Sequence, residues 1–124
     1  MRKLTVFRIE INYYMIGLGV DNMNNTKEET ISIIELTLEI YNLYQKALYS
    51  FKAGAKKDEE RFFHQGDELL LKVSQIHAKM LSKDMNVDLL LAHAEDLLIS
   101  VQLYRSMIQE IQELYKKFPT LKGN

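Results

Sequence analysis

From Thr26 onward, apolar residues recur at spacings of three and four, the period of an amphipathic α-helix, and no long alternation of apolar and polar positions follows residue 25. In the first such stretch Ile31, Ile34, Leu38, Tyr41, Leu48 and Phe51 fall on one face. Thr26-Lys27-Glu28-Glu29 reads as a capping box that opens this helix, and Gly54 as its stop. A second helix begins near Asp58 and carries Phe62, Leu69, Val73, Ile76 and Met80 on one side. Gly66 in its middle costs about 1 kcal/mol relative to alanine, and close packing against another helix is a reason to keep it. A third helix starts after Asp84 or Asn86, runs to Phe118 and is ended by Pro119. At 1.5 Å per residue the three helices would be roughly 35–48 Å long. Matched lengths and short connections predict an all-α, antiparallel three-helix bundle over residues 26–119, with 120–124 as a tail.

Two features exceed what one such bundle needs. The third helix has its expected core seam at Val87, Leu91, Ala94, Leu98, Val101, Tyr104 and Ile108, and a second stripe at Leu89, His93, Asp96, Ser100, Leu103 and Met107. The first helix carries a second row as well, at Ile33, Leu36, Ile40, Leu43 and Ala47. Surplus apolar faces on long helices predict burial against further copies of the chain, a homo-oligomer; the alternative is a bundle with a generous core and some exposed leucines. Residues 1–25 follow another pattern. Leu4 to Tyr14 is β-branched and aromatic with partial alternation, and Gly17 and Gly19 break any helix, so a tail with one short strand or helical turn is expected. Arg2 and Lys3 give it the outline of a signal peptide, but Arg8, Glu10 and Asn12 interrupt the apolar run and no small-residue cleavage site follows. Met23 would serve equally as a start, which would place residues 1–22 outside the natural product.

Composition narrows the function. The chain has 124 residues, 16 basic against 17 acidic, and a net charge of −1, which leaves no basic surplus for nucleic acid. At 47% hydrophobic and 27% charged it fits a single globular domain, and no apolar run reaches the ~18 residues of a membrane span. There is no cysteine, so thiolate chemistry and disulfides are excluded, and a cytoplasmic location is expected. HExxH zinc motifs, glycine-rich phosphate loops, a nucleophile elbow and paired Glu-x-x-His di-iron motifs are absent. His64, four residues after Glu60, reads as a surface side chain. The two polar groups that draw interest are His93 and Asp96, neighbours on the second stripe of the third helix. An imidazole there offers a nucleophile near neutral pH, and an aspartate there demands a partner once buried.

The segment NVDLLLAHAEDLLISVQLYRSMIQEIQELYKKF resembles the third helix of the lactose/cellobiose (diacetylchitobiose) IIA proteins of the sugar phosphotransferase system. In that family a His-Ala-Gln-Asp-His or His-Gly-Gln-Asp-His stretch opens a long helix ending in Glu-Leu-x-x-Lys. The similarity extends through ALYSFKAGAKKDEERF and ELLLKVSQIH, about residues 30–118. The resemblance implies that His93 falls on the phosphorylated histidine, which accepts a phosphoryl group from the histidine-containing phosphocarrier protein and passes it to the IIB component. It implies that Asp96 meets its symmetry mates on the axis of a homotrimer around a divalent cation, Mg²⁺ by preference, and that His77 lies close to the phosphorylation pocket. Three carboxylates crowded on one axis would repel, which makes a hard cation or protonation a physical requirement there.

The chain departs from the family pattern at several places. Glu95 replaces the glutamine and would line the pocket or face solvent; Leu97 replaces the second histidine. Met80 and Leu81 stand near the places of a Gln-Thr pair, and the loop between His77 and His93 is shorter. The expected function is therefore a IIA-type phosphocarrier. The alternative is a non-catalytic or regulatory trimeric scaffold in which Glu95 and Leu97 mark decay of the transfer site.

Overall fold

A computed structural model describes residues 25–82 and 88–122. Three helices follow one another, α1 (Asn25–Lys52), α2 (Lys56–Leu81) and α3 (Leu89–Lys117), and a 3₁₀ turn over Pro119–Lys122 closes the chain. At 28, 26 and 29 residues they are each about 40 Å long. Cross-helix contacts fix their directions. Tyr41 stacks on Tyr104 and Phe51 lies against Tyr115, so α1 and α3 run parallel. Glu59 meets Gln112, Asp67 meets Arg105 and His77 meets Glu95, so α2 runs antiparallel to α3. No strand occurs among the described residues. The expected extension over residues 1–25, with its short strand or helical turn, lies almost wholly outside them.

Local chemistry explains where the helices begin and end. Gly54 adopts φ +75°, and around it the amide of Ala55 donates to the Ser50 carbonyl and that of Gly54 to Phe51. This pair of bonds is a Schellman cap, which the missing Cβ of glycine permits at no steric cost. The start of α3 differs from the sequence expectation. The N-cap is Asp88, not Asp84 or Asn86, because its Oδ1 accepts from the Leu91 amide at 2.7 Å. Helix α1 starts one residue before Thr26, whose side chain lies outside the described ones, and α2 starts at Lys56, two residues before Asp58. Pro119 follows the C-cap Phe118, and Lys116 and Lys117 complement the negative end of the α3 dipole.

The core runs along α1, which packs against both other helices. Ile33, Ile40 and Ala47, together with Tyr44 and Thr37, are fully buried there. Of the second row of α1, Ile33, Ile40 and Ala47 thus belong to the chain's own core, while Leu36 and Leu43 are half-buried. A helix with two neighbours needs a wide apolar arc, and the first row (Ile34 and Phe51 buried; Ile31, Leu38, Tyr41 and Leu48 half-buried) forms its other flank. Thr37 is satisfied inside by donating to the Ile33 carbonyl at 2.6 Å. Val73 and Met80 supply α2's share of the core, and Leu90, Leu91, Ala94, Leu98, Val101 and Ile108 that of α3.

At Gly66, α2 packs tightly against Tyr44 of α1. A Cβ added there would lie 2.5 Å from Cε1 of Tyr44, whose ring fills the gap. The Tyr44 hydroxyl donates to Asp67 Oδ1 at 2.6 Å, and Arg105 from α3 clamps the same carboxylate, Nε to Oδ1 at 2.7 Å and Nη2 to Oδ2 at 2.9 Å. Arg105 also covers the Phe63 ring at 4.9 Å. One carboxylate thus ties all three helices together. Burial, reinforced by the Asp67 anion, pushes the Tyr44 phenol up, so it stays a donor. Burial works against ionisation of Asp67 as well, but the hydrogen bonds from Arg105 and Tyr44 outweigh it and hold the carboxyl below its ordinary range.

Two predictions follow from this clamp. Gly66→Ala should lower stability by about 1–3 kcal/mol in thermal unfolding, since overpacking against a buried ring outweighs the ~1 kcal/mol that alanine gains in a helix interior. Because the folded-state value of Asp67 lies below its unfolded value of about 3.9, its contribution is complete above about pH 4 and is lost as pH falls through the folded value. Asp67→Asn should therefore unfold more easily at pH 7, by about 1–3 kcal/mol, and lose less stability on acidification than the wild type.

Candidate functional site

His93 is the fifth residue of α3 and Asp96 the eighth, one turn apart on the same side of the helix. Both are exposed. Their position follows from how the start of α3 is anchored: Asp88 caps it, while Leu90, Leu91 and Ala94 point into the core and roll the opposite side outward. The rest of that outward stripe is exposed too, with Leu89 at 57%, Leu103 at 61% and Met107 at 53%. Leu114 continues it about two turns beyond. The second stripe read from the sequence is therefore an apolar face of the folded chain, with an imidazole and a carboxylate set into one end.

Glu95 points elsewhere. Two positions along α3 correspond to about 200° of rotation, which takes Glu95 from the His93 side to the α2 side. There its Oε2 lies 3.4 Å from Nε2 of His77, with the two side chains 31% and 20% exposed. Alignment falls short of a hydrogen bond, and His77 Nε2 is shut off from solvent. The contact is an electrostatic one between a carboxylate and a buried ring nitrogen. Neither of the sequence alternatives for Glu95, the pocket or open solvent, included this partner. The available signal was an acid and an imidazole at matching heights of two adjacent antiparallel helices. Leu97, where the family pattern has histidine, is half-buried and packs on the core. Met80 is wholly buried, so it fills the bundle and lines no pocket. His64 lies far along α2 and contacts Glu68 at 3.0 Å on the surface, rather than Glu60.

Among the described residues, no three His, Cys, Asp or Glu side chains of the chain converge on a site of cation size. Asp96 is one exposed hard oxygen donor on an otherwise largely apolar stripe. No helix among the described residues is long and apolar enough to cross a membrane.

The model of the lactose/cellobiose-specific IIA subunit family of the phosphotransferase system matches residues 28–116, all three helices and both connections. The chain belongs to that family. Neither a curated protein nor a solved structure gives a significant match. As a IIA family member the chain keeps the order of long helix, glycine turn, helix carrying His77 and helix carrying His93. The match begins at Glu28 and ends in the last turn of α3, which leaves residues 1–27 and 117–124 outside it.

Proposed function

We propose that this chain is a cytoplasmic IIA phosphocarrier for a lactose- or cellobiose-type sugar, with His93 as the catalytic residue. The observation that carries the reading is an exposed imidazole on the outward face of α3 in a chain of the IIA family. Exposure is what a relay needs, because the same nitrogen must meet a donor protein and then an acceptor protein. An imidazole nitrogen attacks phosphorus with its lone pair; the N–P bond to His93 forms as the donor's N–P bond breaks, and the donor imidazole leaves with that electron pair. In the second transfer a nucleophile of the IIB component attacks the phosphorus; its bond to phosphorus forms as the His93 N–P bond breaks, and the electron pair returns to the ring nitrogen, which restores the free imidazole. The donor is the histidine-containing phosphocarrier protein. Transfers of this kind rest on positioning and charge stabilisation more than on many catalytic groups. His93 helps here, since helical side chains lean toward the N-terminus and bring the ring beside the positive first turn of α3.

The apolar stripe supports a homotrimer. Leu89, Leu103, Met107 and Leu114 would be buried by two further copies, and each His93 would then lie in a crevice shared with a neighbour. Asp96 would come to the axis with its mates. A carboxylate from each chain in apolar surroundings suits a hard, oxygen-binding cation such as Mg²⁺, which when bound would neutralise the axis. Asp96 is the residue that would hold it.

Two measurements test this reading. Incubation with phosphoenolpyruvate and the general phosphotransfer proteins should add one acid-labile phosphoryl group per chain by intact mass, and His93→Ala should abolish it. No labelling of a folded wild type, under conditions that label a related IIA protein, would favour the scaffold alternative. Met107→Glu should shift sedimentation from trimer to monomer while helicity is kept, because a charge on the stripe blocks its burial. A wild type that sediments as a monomer at every concentration would remove the trimer.

A further inference from the structure

Glu95 and His77 form a cross-helix contact, and Glu95 stands where the family pattern leads one to expect a neutral amide. The substitution introduces an anion two residues from a nitrogen that is to carry a dianionic phosphoryl group. The helix phase carries that charge to the α2 side, so it would oppose the transfer only by swinging back round the helix. The carboxylate is turned toward α2 and lies 3.4 Å from a ring nitrogen that is closed to solvent. A carboxylate oxygen is an acceptor and nothing else, whereas an amide can donate or accept. Although the alignment is not that of a hydrogen bond, a negative oxygen at that distance favours a proton over a bare lone pair at Nε2. Other charged side chains near this end of α2 are Glu28 and Glu29 of α1, which border a separate groove with Ile76 and Lys79.

We propose that Glu95 and His77 are a pair of positioning residues: Glu95 fixes the proton of His77 on Nε2, and His77 holds the Glu95 charge against α2, away from His93. The second half of this inference rests on the phosphocarrier reading; the first half does not. The pair explains how this chain carries a glutamate in the motif without an unpartnered anion beside the transfer site. It also makes His77 a requirement of this chain in particular: without His77, Glu95 is free to turn outward.

The experiment has two arms on the full chain. Long-range ¹H–¹⁵N NMR reads the tautomer of His77 directly and needs no phosphorylation. The expected result is Nε2–H in the wild type and loss of that preference in Glu95→Gln; an Nδ1–H tautomer in the wild type, or an unchanged one in E95Q, would overturn the pairing. The second arm is a double-mutant cycle on the rate of His93 phosphorylation. His77→Ala should slow labelling by about tenfold, His77→Gln, which keeps a donor, by less, and H77A combined with E95Q should recover most of the loss. Equal impairment of H77A and the double variant, with circular dichroism showing both folded, would overturn the shielding role. A wild type that never labels would instead remove the carrier reading and with it the shielding role, leaving the tautomer arm to decide the pairing.

Discussion

The approach of α1 to α2 at Tyr44 and Gly66 is the constraint on which the other contacts depend. The ring of Tyr44 occupies the space where any larger residue at 66 would place its Cβ, and its hydroxyl ends on Asp67. Asp67 in turn receives Arg105, so the spacing of the first two helices also sets where the third lies and how it is rotated. Apolar burial drives these helices together but has no direction of its own, and many rotations of an amphipathic helix would bury similar area. A bidentate guanidinium and a short phenol bond have narrow geometry, and they select one of those rotations. That selection matters at the other end of α3. With Arg105 turned toward α2, Leu91, Ala94, Leu98 and Val101 go into the core and His93 goes out.

The outward face of α3 shows what a folded chain does with surplus apolar surface. On α1 most of the surplus is taken into the chain's own core, because that helix has two neighbours and needs a broad arc. On α3 it remains exposed along the helix from Leu89 to Leu114. Two helices with similar sequence patterns thus have opposite meanings, and the difference lies in which helix is central. An imidazole at the edge of such a stripe is well placed for relay chemistry: reachable from solvent, yet next to surface that another protein can cover.

Much of this architecture was legible in the amino-acid pattern, for reasons that are local. Three-four periodicity, Gly54 and Pro119 act within a few residues of where they stand, and the helices they predict agree with those observed to within a few residues. Gly66 was legible as a close approach because glycine in a helix interior has a cost that needs a reason. The partners were not legible, since Tyr44 is 23 residues from Asp67 and Arg105 is 38 residues from it. Capping by Asp88 was missed because several acids and amides precede the helix and the choice depends on which one reaches Leu91. The site divides in the same way. His93 and Asp96 share a stripe that period alone reveals, whereas the His77–Glu95 contact needs the relative rotation of α2 and α3, which the distant clamp determines.

The central claim, that the phosphoryl group is carried by the imidazole on the outward face of α3, is tested most directly by locating it among the three histidines of the chain. Peptide mapping of the phosphorylated protein at alkaline pH, where phosphohistidine survives, should place the group on His93 alone. A label on His77 or His64, with the His93 peptide unmodified, would contradict the account.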